Sequence, residues 1–219
     1  MKNFDLQKFM KTPICAFDFQ FMIGDIKDFL EFSESNIEQQ YQYEINAIAS
    51  GKYEDEPPGY LTHLEESADH RFKVSLPLRV RYGALIALVT TIEWAVGYLI
   101  KLPSIIRPKF KGNENNAIQQ LRYLSNLAKI DACSQIDDIE ALVHIRNCIS
   151  HAAGVVDAYK YRDKLPASIA RIKGISLDGW HFFGTQVCIE KGVLETHIDR
   201  AADLIVSIHS ELNNQGRFK

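Results

Sequence analysis

One long apolar segment constrains the fold of this chain more than any other feature. The stretch YGALIALVTTIEWAVGYLI, residues 82–100, contains a single charged side chain, Glu93, among its 19 residues. Such a run is long enough to span a bilayer, and it is equally typical of a central bundle helix that neighbouring helices surround on all sides. A carboxylate near the middle of a membrane span costs about 2–3 kcal/mol on insertion scales. We therefore expect a buried bundle helix, and a membrane-associated helical protein is the less favoured alternative.

The composition is that of an ordinary globular protein. Hydrophobic residues make up 46% of the chain and the net charge is -3, so any contact with nucleic acid must depend on a local basic patch. The four cysteines are scattered without a CxxC pair, at Cys15, Cys133, Cys148 and Cys188. This spacing is typical neither of a structural zinc site nor of a disulfide framework. No apolar run of signal-peptide length follows the N-terminal lysines, and we expect a cytoplasmic protein.

Hydrophobic periodicity predicts an all-α helical bundle that forms a single domain over residues 1–219, with the first 24 residues irregular. The predicted helices cover about residues 25–50, 60–68, 77–102, 114–130, 134–153 and 193–212. Asp25 and Ser134 are the predicted N-caps of the first and fifth of these helices. Pro166 is expected to interrupt a helical stretch that follows the fifth. Residues 174–192 contain two β-prone runs separated by glycines and aromatics, which predicts a small β-hairpin before the last helix.

The predicted helix 134–153 carries the one local arrangement that indicates chemistry. Arg146 lies about 60° from the middle of the apolar stripe of this helix, where an unpaired guanidinium costs desolvation energy. An arginine held rigidly there can grip a phosphate, or it can be structural and reach to the rim of the core, towards Glu93 or Glu140. His151 lies in the last turn, where the helix terminus favours the imidazolium form and suits a general acid or base. The alternative for His151 is a surface histidine that caps the helix.

The stretch RNCISH, residues 146–151, resembles the signature of the HEPN superfamily (higher eukaryotes and prokaryotes nucleotide-binding). That signature is an arginine, a polar residue, three to five further residues and then a histidine near the end of a helix, which Arg146, Asn147 and His151 match. The resemblance implies a helical bundle of HEPN type over about residues 25–213. It also implies a metal-independent endoribonuclease without a cofactor, of the kind found in toxin–antitoxin and phage-defence systems.

The resemblance further implies how such a site works. HEPN domains dimerise so that two motifs face each other across one cleft. Arg146 would position and neutralise the scissile phosphate, and Asn147 would orient the histidine or the phosphate. His151 would take the 2′-hydroxyl proton or protonate the leaving 5′-oxygen, which yields a 2′,3′-cyclic phosphate. Toxins of this family that are paired with nucleotidyltransferase antitoxins often have tyrosine two residues after the histidine. Here that residue is Ala153, which puts control by tyrosine modification in doubt.

Two basic stretches predict supporting contacts with RNA. YKYRDK, residues 159–164, interleaves aromatic and basic side chains that can stack on bases and contact phosphates: Tyr159, Lys160, Tyr161, Arg162 and Lys164. The loop and flank at 101–111 add Lys101, Arg107, Lys109 and Lys111. We expect RNA, a second copy of the chain and an antitoxin or other partner protein as partners. The alternative is a HEPN-like scaffold or RNA-binding module without catalysis, in which Arg146 forms a structural ion pair.

Overall fold

A computed structural model describes residues 14–51, 53, 56, 57, 59–102, 104–106, 117–181 and 184–218. The helices in chain order are α1 (Ile14–Ala49), α2 (Tyr60–Asp69), α3 (Leu76–Leu99), α4 (Ala117–Ala128), α5 (Cys133–Ala152), α6 (Leu165–Arg171) and α7 (Val193–Asn214). An antiparallel hairpin of β1 (Ile175–His181) and β2 (Gly184–Ile189) precedes α7. The mostly helical architecture with a small hairpin before the last helix is therefore confirmed.

The apolar segment forms α3, which lies at the centre of the bundle. It packs against α1, α4, α5 and α7, and Leu85, Leu88 and Val96 are completely buried there. Among the described helices, the run Tyr60–Leu99 is the one long and apolar enough to cross a membrane, yet 56% of its most apolar stretch is buried inside the fold. A core helix of a bundle shows this degree of burial because neighbouring helices supply its apolar surroundings.

A π-helical segment, His70–Ser75, joins α2 to α3 without a break. The amide of Leu76 donates to the carbonyl of Arg71, five residues back, so the hydrogen-bonded loop encloses one more residue than the loop of an α-helix. The sequence predicted two separate helices here. The sequence analysis did not predict the continuous junction because Pro77 resembles a helix boundary, yet it lies in the first turn of α3 directly after the π-helical segment.

The predicted start of α1 and the predicted capping residue of α5 are wrong. Residues 14–24 are helical and not irregular, and Asp25 lies inside α1 and not at its N-cap. Phe19 and Ile23 extend the buried stripe of α1 towards the N-terminus, so packing carries the helix past the capping residue. Helix α5 begins at Cys133 with Ala132 at the N-cap, so Ser134 does not cap it.

Pro166 begins a helix instead of interrupting one. It lies in the first turn of α6, after two 3-10 turns, Val156–Ala158 and Arg162–Lys164. A proline at this position loses no helical hydrogen bond, and its fixed φ suits the helix. The segment after α5 is therefore a folded connection that leads the chain back across the bundle.

Strand β2 is hydrogen-bonded to the end of α5. The amide of Val187 donates to the carbonyl of Gly154 at 3.0 Å, and Gln186 forms a β-bridge with Val155. The hydroxyl of Tyr82 on α3 donates to the carbonyl of Val187. These bonds hold α3, β2 and the C-terminus of α5 together, so the backbone next to His151 is rigidly placed.

Ala153 ends α5 in a left-handed conformation, with φ 52° and ψ 27°. Glycine is preferred at such a position because it has no Cβ to crowd the backbone. We expect Ala153→Gly to raise the free energy of unfolding by about 0.5–1 kcal/mol, measured by urea denaturation. Ala152→Gly, one residue earlier and still helical, should lower it by a similar amount. Equal destabilisation by both changes would contradict this assignment of the helix end.

His209 predicts a pH dependence of stability. It is buried in α7 against the ring of Phe218, and its Nε2 has no hydrogen-bond partner among the described residues. Burial lowers the pKa of His209 below its ordinary value of 6.5. The unfolded chain therefore binds the proton more tightly, and stability present above pH 6.5 is lost as the pH falls below it. We expect the free energy of unfolding to decrease between pH 7 and pH 5.5, and His209→Leu to flatten this slope. An unchanged slope would assign the dependence to other groups.

Candidate functional site

The three motif residues lie on the C-terminal half of α5 and differ in their exposure. Arg146 is at the edge of the core with 17% of its side chain exposed. Asn147 is half-buried, and His151 is exposed in the last turn. The carbonyl of Ala153, just beyond the helix end, accepts hydrogen bonds from Arg79 at 3.5 Å and Gln186 at 3.3 Å. This half of α5 thus presents a cation, an amide and an imidazole within two turns.

Arg146 forms an ion pair with Glu93, the single charged residue of the central apolar segment. Nη2 of Arg146 donates to Oε1 of Glu93, whose side chain is 37% exposed. Nε of Arg146 is buried and has no hydrogen-bond partner among the described residues. Glu140 is occupied elsewhere, at 2.8 Å from Arg122. The Arg146–Glu93 contact is the one that the structural alternative requires, and it also fixes the position of the guanidinium.

A single copy does not bring Arg146 and His151 together. Helices α3 and α5 run antiparallel, because Arg79 meets Ala153 at one end and Glu93 meets Arg146 further along. Five residues of helix separate Arg146 from His151 by about 7.5 Å along the axis and about 140° around it. A shared phosphate therefore requires either a long curled arginine or a second α5 from another copy.

The predicted RNA-contacting stretch is only partly accessible. Tyr159 is 8% exposed, and burial is the main cause that raises the pKa of its hydroxyl, while nearby Arg146 lowers it. Its ring meets the edge of the Tyr161 ring at 5.9 Å between centroids. Tyr161 is exposed with Nζ of Lys160 5.2 Å from its ring centroid, and Arg162 and Lys164 are exposed as well. Four of the five predicted residues can therefore meet a ligand, whereas the Tyr159 ring cannot stack on a base.

The second predicted basic stretch lies mostly outside the described residues. Lys101 follows α3 and is exposed. Arg107, Lys109 and Lys111 are not among the described residues, so their relation to the motif stays a prediction.

The sequence analysis does not predict an exposed aromatic pair that follows Glu93 on α3. Trp94 and Tyr98 stack one helical turn apart on α3, with ring centroids 6.2 Å apart and both rings partly exposed. The apolar composition of residues 82–100 predicts a helix that is buried on all sides. The i, i+4 spacing of two aromatics with polar tips was the signal for an exposed face.

Two other groups near the motif have structural roles. Nδ1 of His144 lies 3.0 Å from Oγ of Ser168, but that hydroxyl donates to the carbonyl of Lys164, so it is engaged and not an activated nucleophile. Burial raises the pKa of the Cys148 thiol to about 11, which keeps it protonated and unreactive at neutral pH. Among the described residues, no three His, Cys, Asp or Glu side chains are grouped so that they could hold a metal ion.

A cavity of about 870 Å³ lies away from the motif. It is lined by residues of α1, the π-helical segment, α3 and the start of α7, among them Glu34, Phe72, Arg81 and Lys191. None of Arg146, Asn147 and His151 lines it, so this cavity is not part of the candidate site.

The fold and the motif define a helical bundle in which the C-terminal half of one helix carries an arginine at the edge of the core, a half-buried asparagine and an exposed histidine. In comparisons with protein-family models, curated proteins and solved structures, the chain matches none of them. The function must therefore be argued from the residues themselves.

Proposed function

We propose that this protein is a metal-independent endoribonuclease of HEPN type that cleaves RNA at a site shared by two copies. The observation that supports this most is the C-terminal half of α5, where Arg146, Asn147 and His151 lie within two turns, with Arg146 held at the edge of the core and His151 exposed. A guanidinium binds a phosphate through paired hydrogen bonds, and an imidazole titrates near neutral pH. These are the two groups that metal-free cleavage of a phosphodiester needs.

Each residue has a defined role in this proposal. Arg146 binds the scissile phosphate and stabilises the negative charge that develops on it. Asn147 orients the phosphate or the imidazole, and His151 transfers a proton at the 2′-oxygen or the 5′-oxygen. The products are a 2′,3′-cyclic phosphate and a free 5′-hydroxyl. Two α5 helices related by a two-fold axis place Arg146 of one copy near His151 of the other, which removes the separation seen within one copy.

The exposed residues after the motif extend the proposed RNA surface. Lys160, Arg162 and Lys164 supply positive charge, and Tyr161 supplies a ring for an unpaired base. A net charge of -3 makes such a local surface necessary, because the chain as a whole repels a polyanion. A toxin or phage-defence effector that acts in the cytoplasm fits these properties.

The Arg146–Glu93 contact favours a second candidate function. A guanidinium that is mostly buried against a carboxylate can simply join α3 to α5. The protein is then a HEPN-like scaffold or RNA-binding module without catalysis. The two candidates share a fold, so only the behaviour of Arg146 and His151 separates them.

RNA cleavage in EDTA by the wild type, Arg146→Ala and His151→Ala tests the proposal. We expect each variant to lose at least about 100-fold in rate, the usual effect of losing a general acid, a general base or a charge-stabilising donor. End-group analysis should find 2′,3′-cyclic phosphates. Arg71→Ala and His63→Ala, both at exposed positions outside the motif, are matched controls that keep activity. Thermal unfolding must show that all four variants stay folded.

Mixing the two inactive variants tests whether the site is shared. A mixed dimer of Arg146→Ala and His151→Ala contains one site with both groups intact, so random mixing should restore about a quarter of the wild-type rate. No recovery would show that both groups act within one copy. Full activity of both single variants would contradict this site, whereas no cleavage by the folded wild type would support the scaffold.

A further inference from the structure

We propose that Glu93 is the general base of this site and that His151 is the general acid. This assignment rests on the proposed function and resolves the role that the motif alone leaves open for His151. Glu93 comes from α3 and not from the motif helix, so the RNCISH pattern gives no indication of it.

The position of the Glu93 carboxylate relative to Arg146 supports its role as the general base. A phosphate bound by Arg146 has its oxygens about 2.8 Å from the guanidinium nitrogens, and the attacking 2′-oxygen lies about 3–3.5 Å from phosphorus. The 2′-hydroxyl must therefore lie within a few ångströms of this guanidinium. Glu93 is in direct contact with the guanidinium, so it is placed where the proton has to be removed.

The accessibility of the Glu93 side chain also supports its role as the general base. Its side chain is 37% exposed, and only Oε1 receives a hydrogen bond from the described residues. Oε2 is available to the substrate. The guanidinium has five N–H donors in a planar fork, so Arg146 can bind Glu93 and a phosphate at the same time.

Other titratable groups near Arg146 are less suitable as the base. The hydroxyl of Tyr159 is electrostatically close to Arg146 but buried, and its pKa is raised. Glu140 is held by Arg122. His151 of the same copy is about one and a half turns away on the helix, and His151 of a second copy is the proposed general acid. Glu93 is the carboxylate that already touches the phosphate-binding group.

In the proposed step, one proton leaves the 2′-oxygen and another reaches the 5′-oxygen. Glu93 takes the proton of the 2′-hydroxyl while the 2′-oxygen forms a bond to phosphorus. The bond between phosphorus and the 5′-oxygen breaks, and the His151 imidazolium gives its proton to that oxygen. The enzyme is left with a protonated carboxyl and a neutral imidazole, and exchange with water restores both.

A substrate with sulfur in place of the bridging 5′-oxygen separates the two roles. A thiolate leaves without a proton, so this substrate needs no general acid. We expect His151→Ala to cleave it within about tenfold of the wild-type rate, whereas Glu93→Gln stays at least about 100-fold slow. On ordinary RNA both variants should be slow. Rescue of Glu93→Gln by the sulfur substrate would overturn the assignment.

The pH–rate profile gives a readout that a purely structural role of Glu93 would not move. A general base must be deprotonated to act, so the acidic limb of the profile reports this group. We expect Glu93→Asp to keep the acidic limb of the wild type with a reduced rate, and Glu93→Gln to lose it. An acidic limb that is unchanged in Glu93→Gln would overturn the assignment.

The experiments distinguish a wrong role for Glu93 from a wrong function for the protein. If the wild type cleaves RNA and depends on Arg146 and His151, but folded Glu93→Gln is fully active, only the role of Glu93 is wrong. If the wild type does not cleave RNA, both the function and the role of Glu93 are overturned.

Discussion

Gly154→Ala is expected to lower the free energy of unfolding by about 3 kcal/mol or more. Gly154 has φ +82°, a conformation that costs an L-residue about 1–2 kcal/mol. An added Cβ would lie 2.7 Å from Cζ of Tyr82, and this ring is buried in the core with its hydroxyl bonded to Val187. The clash adds about 2–3 kcal/mol, the upper part of the usual range for overpacking, because neither the ring nor strand β2 can move freely.

The matched control is Gly192→Ala. Gly192 has a similar φ of +85°, but an added Cβ meets nothing within 4 Å. This change should cost only the backbone term of about 1–2 kcal/mol. In a thermal scan, Gly154→Ala should lower Tm by at least about 6 °C and by more than the control. Equal losses for the two variants would contradict close packing of Gly154 against Tyr82. The same experiment tests how the end of α5 is anchored, because the junction of Gly154 with Tyr82 holds the end of the helix that carries His151.

Glu34→Ala is expected to cost about 2–3 kcal/mol, near the lower end of the range for breaking a buried ion pair. Nε of Arg81 donates to Oε1 of Glu34 at 2.7 Å, and only 16% and 10% of the two side chains are exposed. Arg81 also donates to the carbonyl of Ile189 at 2.9 Å. The pair therefore connects α1, α3 and the end of β2, and removing the carboxylate leaves a poorly solvated guanidinium.

A double variant and an exposed control make this prediction specific. Glu34→Met combined with Arg81→Met should cost less than the sum of the two single changes, because no unpaired charge remains. Glu38→Ala, one turn further along α1, removes only an exposed hydrogen bond with Gln42 and should stay within about 0.5 kcal/mol of the wild type. Urea denaturation measures all of these differences. A loss from Glu38→Ala as large as that from Glu34→Ala would contradict the special role of the buried pair.

The predicted elements succeeded where one pattern dominated a long segment. The apolar run 82–100 predicted a buried central helix, and α3 is that helix. The glycine- and aromatic-rich run 174–192 predicted a hairpin, and β1 and β2 form it. Predictions from single residues did worse. Asp25 lies inside α1, α5 begins one residue before Ser134, and Pro166 lies in the first turn of α6 instead of interrupting a helix.

For the candidate site, too, the sequence places residues along one helix, whereas the tertiary structure determines the contacts between helices. The local spacing of Arg146, Asn147 and His151 is a property of one helix, and the sequence is sufficient to place them on it. The pairing of Arg146 with Glu93 joins residues 53 positions apart, and the sequence alone left Glu93 and Glu140 equally available. The burial of Tyr159 also depends on the bundle, because an exposed RNA contact and a buried core ring look the same in a local pattern.

By itself, the sequence determined the helical class, the central position of one helix and the order of polar groups on another, since these follow from periodicity along the chain. Only the tertiary structure decided which carboxylate holds Arg146, which aromatic rings remain exposed and how the end of α5 is anchored. Those properties arise from contacts between distant segments. Their energies depend on burial and geometry, which exist only once the bundle has formed.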